Sequence, residues 1–355
     1  MKVKKQTATI VDKEMQMLTA LAGSYPRHPD QINQLSEADA EILKYRHPEA
    51  SHLVLKIDGL YEELQEKLYT DPFQIGWMSV TITISDLSAV GSDPFAVLMA
   101  LQLPTQYGND QEWMKRFQEG INSACKEYGV FILGGDTNLG EQFSITCSGA
   151  AMIKDTQPMF RKGMRNGDYL YATGRLGLGA AFAFSRYFDN SFKVDYLPTA
   201  RLRESKLIRT FAHSCIDTSD GLFPAMSILS ALNATGFEIS TPLEEIIHPD
   251  ALTICRAKSI PPWIFLAGPH GEYELIFSIS AEKKELFETA ALKENMAVVL
   301  LGRAVEGTEI HFKSDQLDVV CQPAMIANLF QEAEGNVQRY FEMLIKQHIS
   351  WSQKQ

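Results

Sequence analysis

The sequence predicts a two-domain α/β protein, and three observations support this prediction. The chain of 355 residues is long enough for two domains of typical size. Several short apolar runs end in an aspartate, which is typical of buried strands that deliver a ligand-binding side chain at the edge of a sheet. A glycine-rich turn opens a helix near Gly177, as expected at the start of a second α/β unit.

Composition and charge exclude several classes of protein. With 45% hydrophobic and 22% charged residues, the sequence is not that of a collagen, a coiled coil or a disordered chain. The 33 lysines and arginines against 44 aspartates and glutamates give a formal charge of −11, which repels the polyphosphate of a nucleic acid. We therefore expect no nucleic-acid partner, whereas clustered carboxylates that hold divalent cations would suit this acidic balance.

Cysteines and apolar runs indicate the compartment. The five cysteines are odd in number and form no C-x-x-C pair, which argues against a disulfide framework and a structural zinc site. The basic start of the chain lacks the apolar stretch of a signal peptide, and no later segment offers about 18 uncharged apolar residues in a row. We expect a cytoplasmic protein with reduced thiols and no membrane partner.

The chain divides into four predicted segments, with no internal repeat or low-complexity tract. They are an N-terminal extension over residues 1–30, a first domain over 31–154, a second domain over 155–322 and a C-terminal helix over 323–355.

Elements of the first domain follow from turn and cap signals. HLVLKID predicts a buried strand that ends at Asp58. A long helix is predicted to start after Thr70 or Asp71, either of which can cap it, and to end just before Gly91. VTITIS inside that helix alternates like a strand, but no turn signal divides the segment. FAVLMALQLP predicts a buried strand, the next amphipathic segment a helix ended by Gly129, and VFIL and FSITCSGAAMI two further strands.

The second domain repeats the alternation of strands and helices. The strand YLYAT leads into a helix within GRLGLGAAFAFSRYF. CIDTSDGLFPAMSILSALNATG predicts a strand end, a turn and a helix closed by Gly236. YELIFSIS and AVVLLG predict strands on either side of the helix AEKKELFETAALKEN. The tail from Ala324 to about His348 is predicted to be helical and amphipathic.

Aspartates after apolar runs are the candidate functional residues. Four follow predicted strands, and Asp86 lies inside an apolar helix, where an unpaired charge would be costly. Hard oxygen ligands of this kind suit Mg²⁺ that holds nucleotide phosphates. A single such aspartate is more often a cap or an Asx-turn residue, but five together favour a metal and phosphate site. The five are Asp58, Asp86, Asp136, Asp217 and Asp220.

Other active-site motifs are missing. The sequence contains no G-x-x-x-x-G-K-[ST], G-x-S-x-G or H-E-x-x-H, and the glycines of GRLGLG are not spaced as G-x-G-x-x-G. P-loop, hydrolase and zinc chemistry are therefore not supported. His270 falls beside the candidate site, although a structural turn histidine is the more frequent explanation.

Five motifs together carry a family resemblance. GWMSVTITISDLSAVGSDP, LGGDTN, FRKGMRNGDYLYATGRLG, IDTSDGL and GEYELIF occur in the order and spacing of thiamine-monophosphate kinases, which belong to the PurM-like superfamily of aminoimidazole ribonucleotide synthetase. The resemblance runs from about Leu35 to Gly302. It implies a PurM-like N-terminal domain whose sheet pairs with a partner in a dimeric barrel, followed by a PurM-like C-terminal α/β domain. A homodimer with an ATP site and bound Mg²⁺ is also implied.

The resemblance also implies roles for single residues. The implied metal ligands are Asp39, Asp58, Asp86, Asp136, Asp217 and Asp220, and the implied catalytic residues are Asp86, Asp136 and Asp220. Nucleotide contacts are implied for Gly135, Asp136, Arg161 and Ser219. The acceptor side is expected at Gln65, Gly271 and Glu272.

Departures from the family pattern fall near the metal and acceptor sites. The loop Gly-Asp-Asp-Ala-Ala of the family reads EADAE here, so that Glu37 and Ala38 replace its glycine and first acid. Two threonines before the strand-end Asp58 become Lys56 and Ile57, and a lysine there could occupy the space of a missing cation.

The acceptor side departs as well. Gln65 stands in place of a substrate-contacting histidine, Gly271 in place of a glutamate, and the tryptophan motif at the C-terminus is replaced by an isolated Trp351.

The first functional reading is an ATP- and Mg²⁺-dependent phosphotransferase that converts thiamine phosphate to thiamine diphosphate, with the identity of the phosphorylated acceptor open. A second is a related ATP-dependent synthetase or cyclase, which would release ADP and free phosphate. A third is a nucleotide-binding or structural homodimer that has lost catalysis.

Overall fold

The predicted two-domain α/β fold is confirmed, because the chain forms two separate sheets, each accompanied by helices. This computed structural model describes residues 28–34, 37–47, 49–154, 156–314 and 317–353. Nearly all of the predicted N-terminal extension lies outside the described residues.

The first sheet has five strands in the order β1-β2-β5-β3-β4. Its strands are β1 (Glu41–His47), β2 (Ala50–Leu60), β3 (Asp93–Pro104), β4 (Phe131–Gly140) and β5 (Ser144–Ile153). All neighbours are antiparallel except β3 and β4, which are parallel. Strand β1 was not predicted from the sequence. Charged residues of EILKYRH stand at both odd and even positions, so the segment shows no alternation of apolar and polar residues.

Four helices accompany this sheet. They are α1 (Glu62–Gln65), α2 (Pro72–Ala89), α3 (Thr105–Asn109) and α4 (Gln111–Tyr128). Asp110 caps α4 by accepting from two backbone N–H groups, and Gly129 ends it in a left-handed conformation, as predicted.

Helix α2 lies at the centre of the first domain. It begins with Pro72 after Asp71, and Gly91 follows its end with φ of +76°, so the predicted bounds are confirmed. Every residue from Gln74 to Ala89 is buried. The strand-like alternation is tolerated because apolar neighbours surround the helix and buried hydroxyls find local acceptors, as when Thr81 Oγ1 donates to the Trp77 carbonyl at 2.9 Å.

Two glycines let α2 and α4 cross with their backbones in contact. A Cβ placed on Gly76 would lie 2.1 Å from the Phe117 carbonyl oxygen, and one on Gly120 would lie 2.0 Å from the Phe73 carbonyl oxygen. Real side-chain atoms do not approach backbone oxygens so closely, and a larger residue would force the helices apart.

The first sheet exposes one face and one edge. Strand β3 was predicted to be buried, but Leu98 is 50% exposed on the face turned away from α2. Strand β4 is an edge strand and is exposed along almost its whole length, with Phe131 71% exposed. The predicted strand VFIL continues through the two glycines and Asp136, which all lie inside β4, so the prediction that Asp136 follows a strand end is wrong.

The second sheet has seven strands in the order β12-β11-β8-β10-β6-β9-β7. Its strands are β6 (Tyr169–Ala172), β7 (Ala212–Asp217), β8 (Thr235–Ile239), β9 (Leu275–Ile279), β10 (Val299–Glu306), β11 (Ile310–Ser314) and β12 (Leu317–Cys321). Only the pair β8 and β11 is parallel.

Helices of the second half include those on the sheet and those of the tail. They are α5 (Leu178–Tyr187), α6 (Leu202–Ile208), α7 (Leu222–Asn233), α8 (Leu243–Ile246), α9 (Pro249–Lys258), α10 (Lys284–Lys293), α11 (Pro323–Ala327), α12 (Leu329–Glu332) and α13 (Val337–Ser352). Two short 3₁₀ segments, Pro262–Leu266 and Ala281–Lys283, complete the set.

Two predictions about helix ends are corrected. Helix α7 ends at Asn233, because Ala234 takes the left-handed conformation at φ of +50°, and Gly236 lies inside β8 instead of closing the helix. The C-terminal tail is three helices and not one, with a break at Gly335, where φ is +71°.

None of the helices in the described ranges is both long and apolar enough to cross a membrane.

We predict that Gly120→Ala lowers the stability of the first domain by about 1–3 kcal/mol, because the added methyl group forces α2 and α4 apart. The midpoint of urea unfolding measures this loss. Gly108→Ala in α3 is the matched control, since its Cβ would meet only the Leu139 side chain at 3.8 Å. Equal midpoints for the two variants would contradict the proposed backbone contact.

Candidate active site

A polar cavity of about 490 Å³ opens between the two domains. Strand β2, helix α2 and the loop before β1 contribute walls from the first domain, and the turns after β7 and before β9 contribute walls from the second. The lining residues are Ala38, Asp39, Glu41, Lys56, Asp58, Gly59, Glu63, Tyr69, Ile82, Asp86, Arg161, Tyr196, Ser219, Asp220, Ile228, Pro269, His270, Gly271 and Tyr273.

Three buried aspartates meet beside this cavity. Asp39 comes from the loop before β1, Asp86 from α2 and Asp217 from the last residue of β7. One carboxylate oxygen of each lies within 4.8 Å of the others. We call these three residues the acid cluster. Its members are distant in sequence, and the packing of α2 between the two sheets brings them together.

Lys56 lies against the acid cluster. Its Nζ is 2.7 Å from Asp86 Oδ2 and 3.8 Å from Asp58 Oδ2. Burial raises the pKa of the Asp86 carboxyl, and the Lys56 ammonium opposes that rise. Burial acts to lower the pKa of Lys56, but the carboxylates of Asp86 and Asp58 outweigh it and hold the pKa above its usual value. The lysine is therefore a charged partner of Asp86.

Arg161 is the second cation at the cluster. Its Nη2 lies 2.7 Å from Asp39 Oδ1, and its backbone N–H donates to the Glu37 carbonyl oxygen. The resemblance implies a nucleotide contact for this arginine, and the structure places it on Asp39, at one wall of the cavity. The other oxygen, Asp39 Oδ2, is buried and has no hydrogen-bond partner among the described residues.

Asp217 is held by hydroxyl groups from both domains. Ser85 Oγ of α2 donates to Asp217 Oδ2 at 2.6 Å, and Ser219 Oγ donates to Asp217 Oδ1 at 3.2 Å. Burial, with a contribution from the negative charge of Asp39, raises the pKa of Asp217 to about 6. These two hydroxyls and the positive charges of Arg161 and Lys56 compensate the carboxylate in part, and a cation bound nearby would stabilise it further.

The acid cluster fits a divalent cation. Three carboxylate oxygens converge within 4.8 Å, and the buried Asp39 Oδ2 has a free coordination position. Oxygen donors of this kind match Mg²⁺. Asp58 lies at the rim of the same cavity, with a side chain 40% exposed, and Asp220 lines it from the second domain.

Gly135 and Asp136 lie apart from the acid cluster in the single chain. Both belong to the exposed edge strand β4, and neither lines the cavity. A Cβ on Gly135 would lie 1.9 Å from the Met99 carbonyl oxygen, so this glycine permits the close approach of β3 and β4. The Asp136 carboxylate accepts from the Asn138 amide at 2.7 Å.

The three expected acceptor residues have different surroundings. Gln65 lines a neighbouring groove of about 670 Å³ that shares Asp220 and Pro269 with the cavity. Gly271 lines the cavity itself, and a Cβ there would lie 1.6 Å from the Thr218 carbonyl oxygen, which leaves no space for a side chain.

Glu272 and Trp351 are buried inside the fold and do not line the cavity. Glu272 is buried away from the cavity and accepts from the Gly177 backbone N–H at 2.6 Å, at the start of α5. Trp351 is buried with its ring centroid 4.6 Å from that of Trp263, so it is a core residue of the second domain.

Sequence reasoning missed one wall of the cavity. Glu63 and three tyrosines, Tyr69, Tyr196 and Tyr273, line it together. Burial raises the pKa of Glu63 to about 7. Tyr273 belongs to the motif GEYELIF, but its neighbours in the motif received the expected roles. No local motif marks the other three, because Tyr196 lies in an irregular segment, Glu63 in α1 and Tyr69 in the loop after it.

His270 completes this wall. Burial lowers the pKa of His270 to about 4, and Nε2 has no hydrogen-bond partner within the described part of the chain. A neutral imidazole therefore faces the cavity beside Tyr187, 6.2 Å away between ring centroids.

Comparisons with known proteins agree with the motifs. A family model described as AIR synthase related protein, N-terminal domain, matches residues 37–153. The thiamine-monophosphate kinase of Methanospirillum hungatei is 32% identical over 260 residues, which cover 73% of this chain and 83% of the relative. The Escherichia coli thiamine-monophosphate kinase is 27% identical over 247 residues, covering 65% and 72% of the two chains.

Solved structures share the fold. AaThiL complexed with AMPPCP and TMP has a TM-score of 0.69 at 22% identity, covering 89% of this chain and 98% of that one. Escherichia coli HypE, a hydrogenase maturation protein, has a TM-score of 0.66 at 16% identity, covering 87% and 96%. Because sequence identity to the Methanospirillum hungatei relative reaches 32% across more than two thirds of both chains, this chain belongs to the thiamine-monophosphate kinase family.

Proposed function

We propose that this chain is an ATP- and Mg²⁺-dependent phosphotransferase that transfers the γ-phosphoryl group of ATP to thiamine phosphate. The observation that carries the proposal is the acid cluster, which offers a buried and unpaired carboxylate oxygen beside a 490 Å³ cavity between the domains. The family relatives are thiamine-monophosphate kinases, and a neighbour with the same fold was solved with AMPPCP and TMP.

The proposed Mg²⁺ ligands are the acid cluster together with Asp58 and Asp220 at the cavity walls. Bound Mg²⁺ would supply positive charge to phosphate oxygens and orient them. The chain contributes a fixed frame for those ligands, because Ser85 holds Asp217 and Arg161 holds Asp39.

The chemistry requires positioning more than proton transfer. An oxygen of the acceptor phosphate forms a bond to the γ-phosphorus of ATP, the bond between that phosphorus and the β-γ bridging oxygen breaks, and ADP leaves. The attacking oxygen is already anionic, so no strong general base is needed. This agrees with a cavity whose histidine, His270, is a weak base, because burial lowers its pKa to about 4.

The wall formed by Glu63 and the tyrosines supports an acceptor that is aromatic and positively charged. Tyr69 and Tyr196 stack at 6.3 Å between centroids, and the Tyr196 hydroxyl donates to the Gly271 carbonyl oxygen at 2.7 Å, which fixes the wall. A cationic ring would gain from aromatic faces and from the carboxylate of Glu63. The thiazolium ring of thiamine phosphate has this chemistry.

A homodimer is part of the proposal. The outer face of the first sheet exposes Ile57 and Leu98, which lie in one row across β2, β5 and β3 because both pair with Ser148. The edge strand β4 adds Phe131 and Leu133, both exposed. A contiguous apolar face beside an unpaired strand edge is typical of an interface. Such an interface would also cover β4, the strand that carries Asp136.

We predict that incubation with Mg²⁺-ATP and thiamine phosphate yields equal amounts of thiamine diphosphate and ADP, measured by chromatography. Asp217→Asn should lower kcat by at least about 100-fold, because it removes a charged ligand and leaves the fold intact. Asp250→Asn on the surface of α9 is the matched control and should keep full activity. ADP with free phosphate would favour a synthetase or cyclase, and ATP binding without any product would indicate a non-catalytic protein.

We predict that the wild-type chain is a dimer in light scattering and that Leu98→Glu converts it to a monomer, because a charge would be buried at the centre of the interface. Leu292→Glu on α10 makes the same change at an exposed leucine of the second domain and should leave the dimer intact. A monomeric wild-type protein at micromolar concentration would refute the proposed interface.

A further inference from the structure

We propose that the Lys56 ammonium group is a built-in cation of the acid cluster, filling a position that a divalent cation would take if residue 56 were neutral. The site of this chain would then bind one divalent cation fewer than its Lys56→Thr variant. The inference rests on the proposed function, because it assumes that the acid cluster is the Mg²⁺ site.

The strand register fixes the direction of Lys56. Side chains of β2 alternate between the outer face, where Leu55 and Ile57 are exposed, and the inner face, where Val54 and Leu60 are buried. Lys56 and Asp58 belong to the inner face by this period of two. Since that face packs on α2, the lysine points towards Asp86 without any special backbone geometry.

The contact between Lys56 and Asp86 is that of a permanently bound cation with its ligand. Lys56 Nζ is 2.7 Å from Asp86 Oδ2, a short charge-assisted contact, and the two side chains are only 25% and 7% exposed. A lysine ammonium is a compact point charge with three donors, so it can serve two carboxylates, and Asp58 Oδ2 lies 3.8 Å from the same nitrogen. Asp86 therefore has one oxygen occupied by a protein cation.

Formal charge supports a cationic role for Lys56. The carboxylates of Asp39, Asp58, Asp86 and Asp217 interact in this region with two cationic side chains, Lys56 and Arg161, and Asp220 adds a further acid at the cavity wall. A neutral residue at position 56 would leave one more negative charge uncompensated beside Asp86, and an additional divalent cation would be favoured there.

The open position of the cluster lies at Asp39. Asp39 Oδ2 is buried without a hydrogen-bond partner in the described chain, whereas the Asp86 oxygen facing β2 is already paired. The two halves of the cluster thus differ, one closed by Lys56 and the other free to accept a metal ion.

The test counts bound Mn²⁺, a paramagnetic substitute for Mg²⁺, by electron paramagnetic resonance of the full chain with AMPPCP. We expect the Lys56→Thr variant to bind one more Mn²⁺ per chain than the wild-type protein. The double variant Lys56→Thr/Asp86→Asn should lose this additional ion, because its ligand is gone. Lys44→Thr, the same change at an exposed position of the neighbouring strand β1, should bind the same number of Mn²⁺ ions as the wild-type protein.

Equal Mn²⁺ numbers and affinities in the wild-type protein and the Lys56→Thr variant would overturn the proposal. If the threonine variant folds only with Mn²⁺, the proposal is supported, because the metal then replaces the ammonium group. If it does not fold at all, Lys56→Gln, which keeps most of the side-chain length, is counted in the same way. Ion counting requires no turnover, so a chain inactive on thiamine phosphate would refute the proposed acceptor and leave this test standing.

Discussion

Buried negative charge is the constraint on which the rest of this structure depends. Asp39, Asp86 and Asp217 converge between the two domains, where an uncompensated carboxylate costs several kcal/mol. Compensation comes from distant parts of the chain: Lys56 on β2 and Arg161 from the segment that joins the sheets. The acid cluster therefore fixes how the two domains meet and also supplies the charge that attracts a cation.

Helix α2 makes this arrangement possible. It is buried along almost its whole length and presents Ser85 and Asp86 to the junction, where Ser85 contacts Asp217 of the second domain and Asp86 contacts Lys56 of the first. Backbone contact with α4 at Gly120 fixes the position of the first half of the helix. Buried hydroxyls of this apolar helix are stable because each finds an acceptor, either on the preceding turn of the helix or in another element.

Two surfaces of the chain carry the proposed functions. One is the cavity, with the proposed metal and phosphate site at the aspartates and an aromatic, acidic wall around Glu63. The other is the outer face of the first sheet, whose edge strand carries Asp136 away from the cluster. In the proposed dimer these surfaces have separate roles, since the cavity belongs to one chain and the β4 edge to the contact between chains.

The sequence by itself determined the local elements and the chemistry of the candidate residues. Pro72 and Gly91 bounded α2 despite its strand-like alternation, because proline and glycine preferences act within a few residues. Asp71 stands at the N-cap position, but its carboxylate pairs with Arg116 and not with a backbone N–H of the helix. The motifs also identified the family and named the aspartates. Only the tertiary structure decided which of them meet: the pairing of Lys56 with Asp86, the separation of Asp136, and the wall of Glu63 and its tyrosines all depend on β2 packing against α2 and on the contact between domains. Those contacts join residues far apart in the chain, where no local pattern records which side chains will face each other.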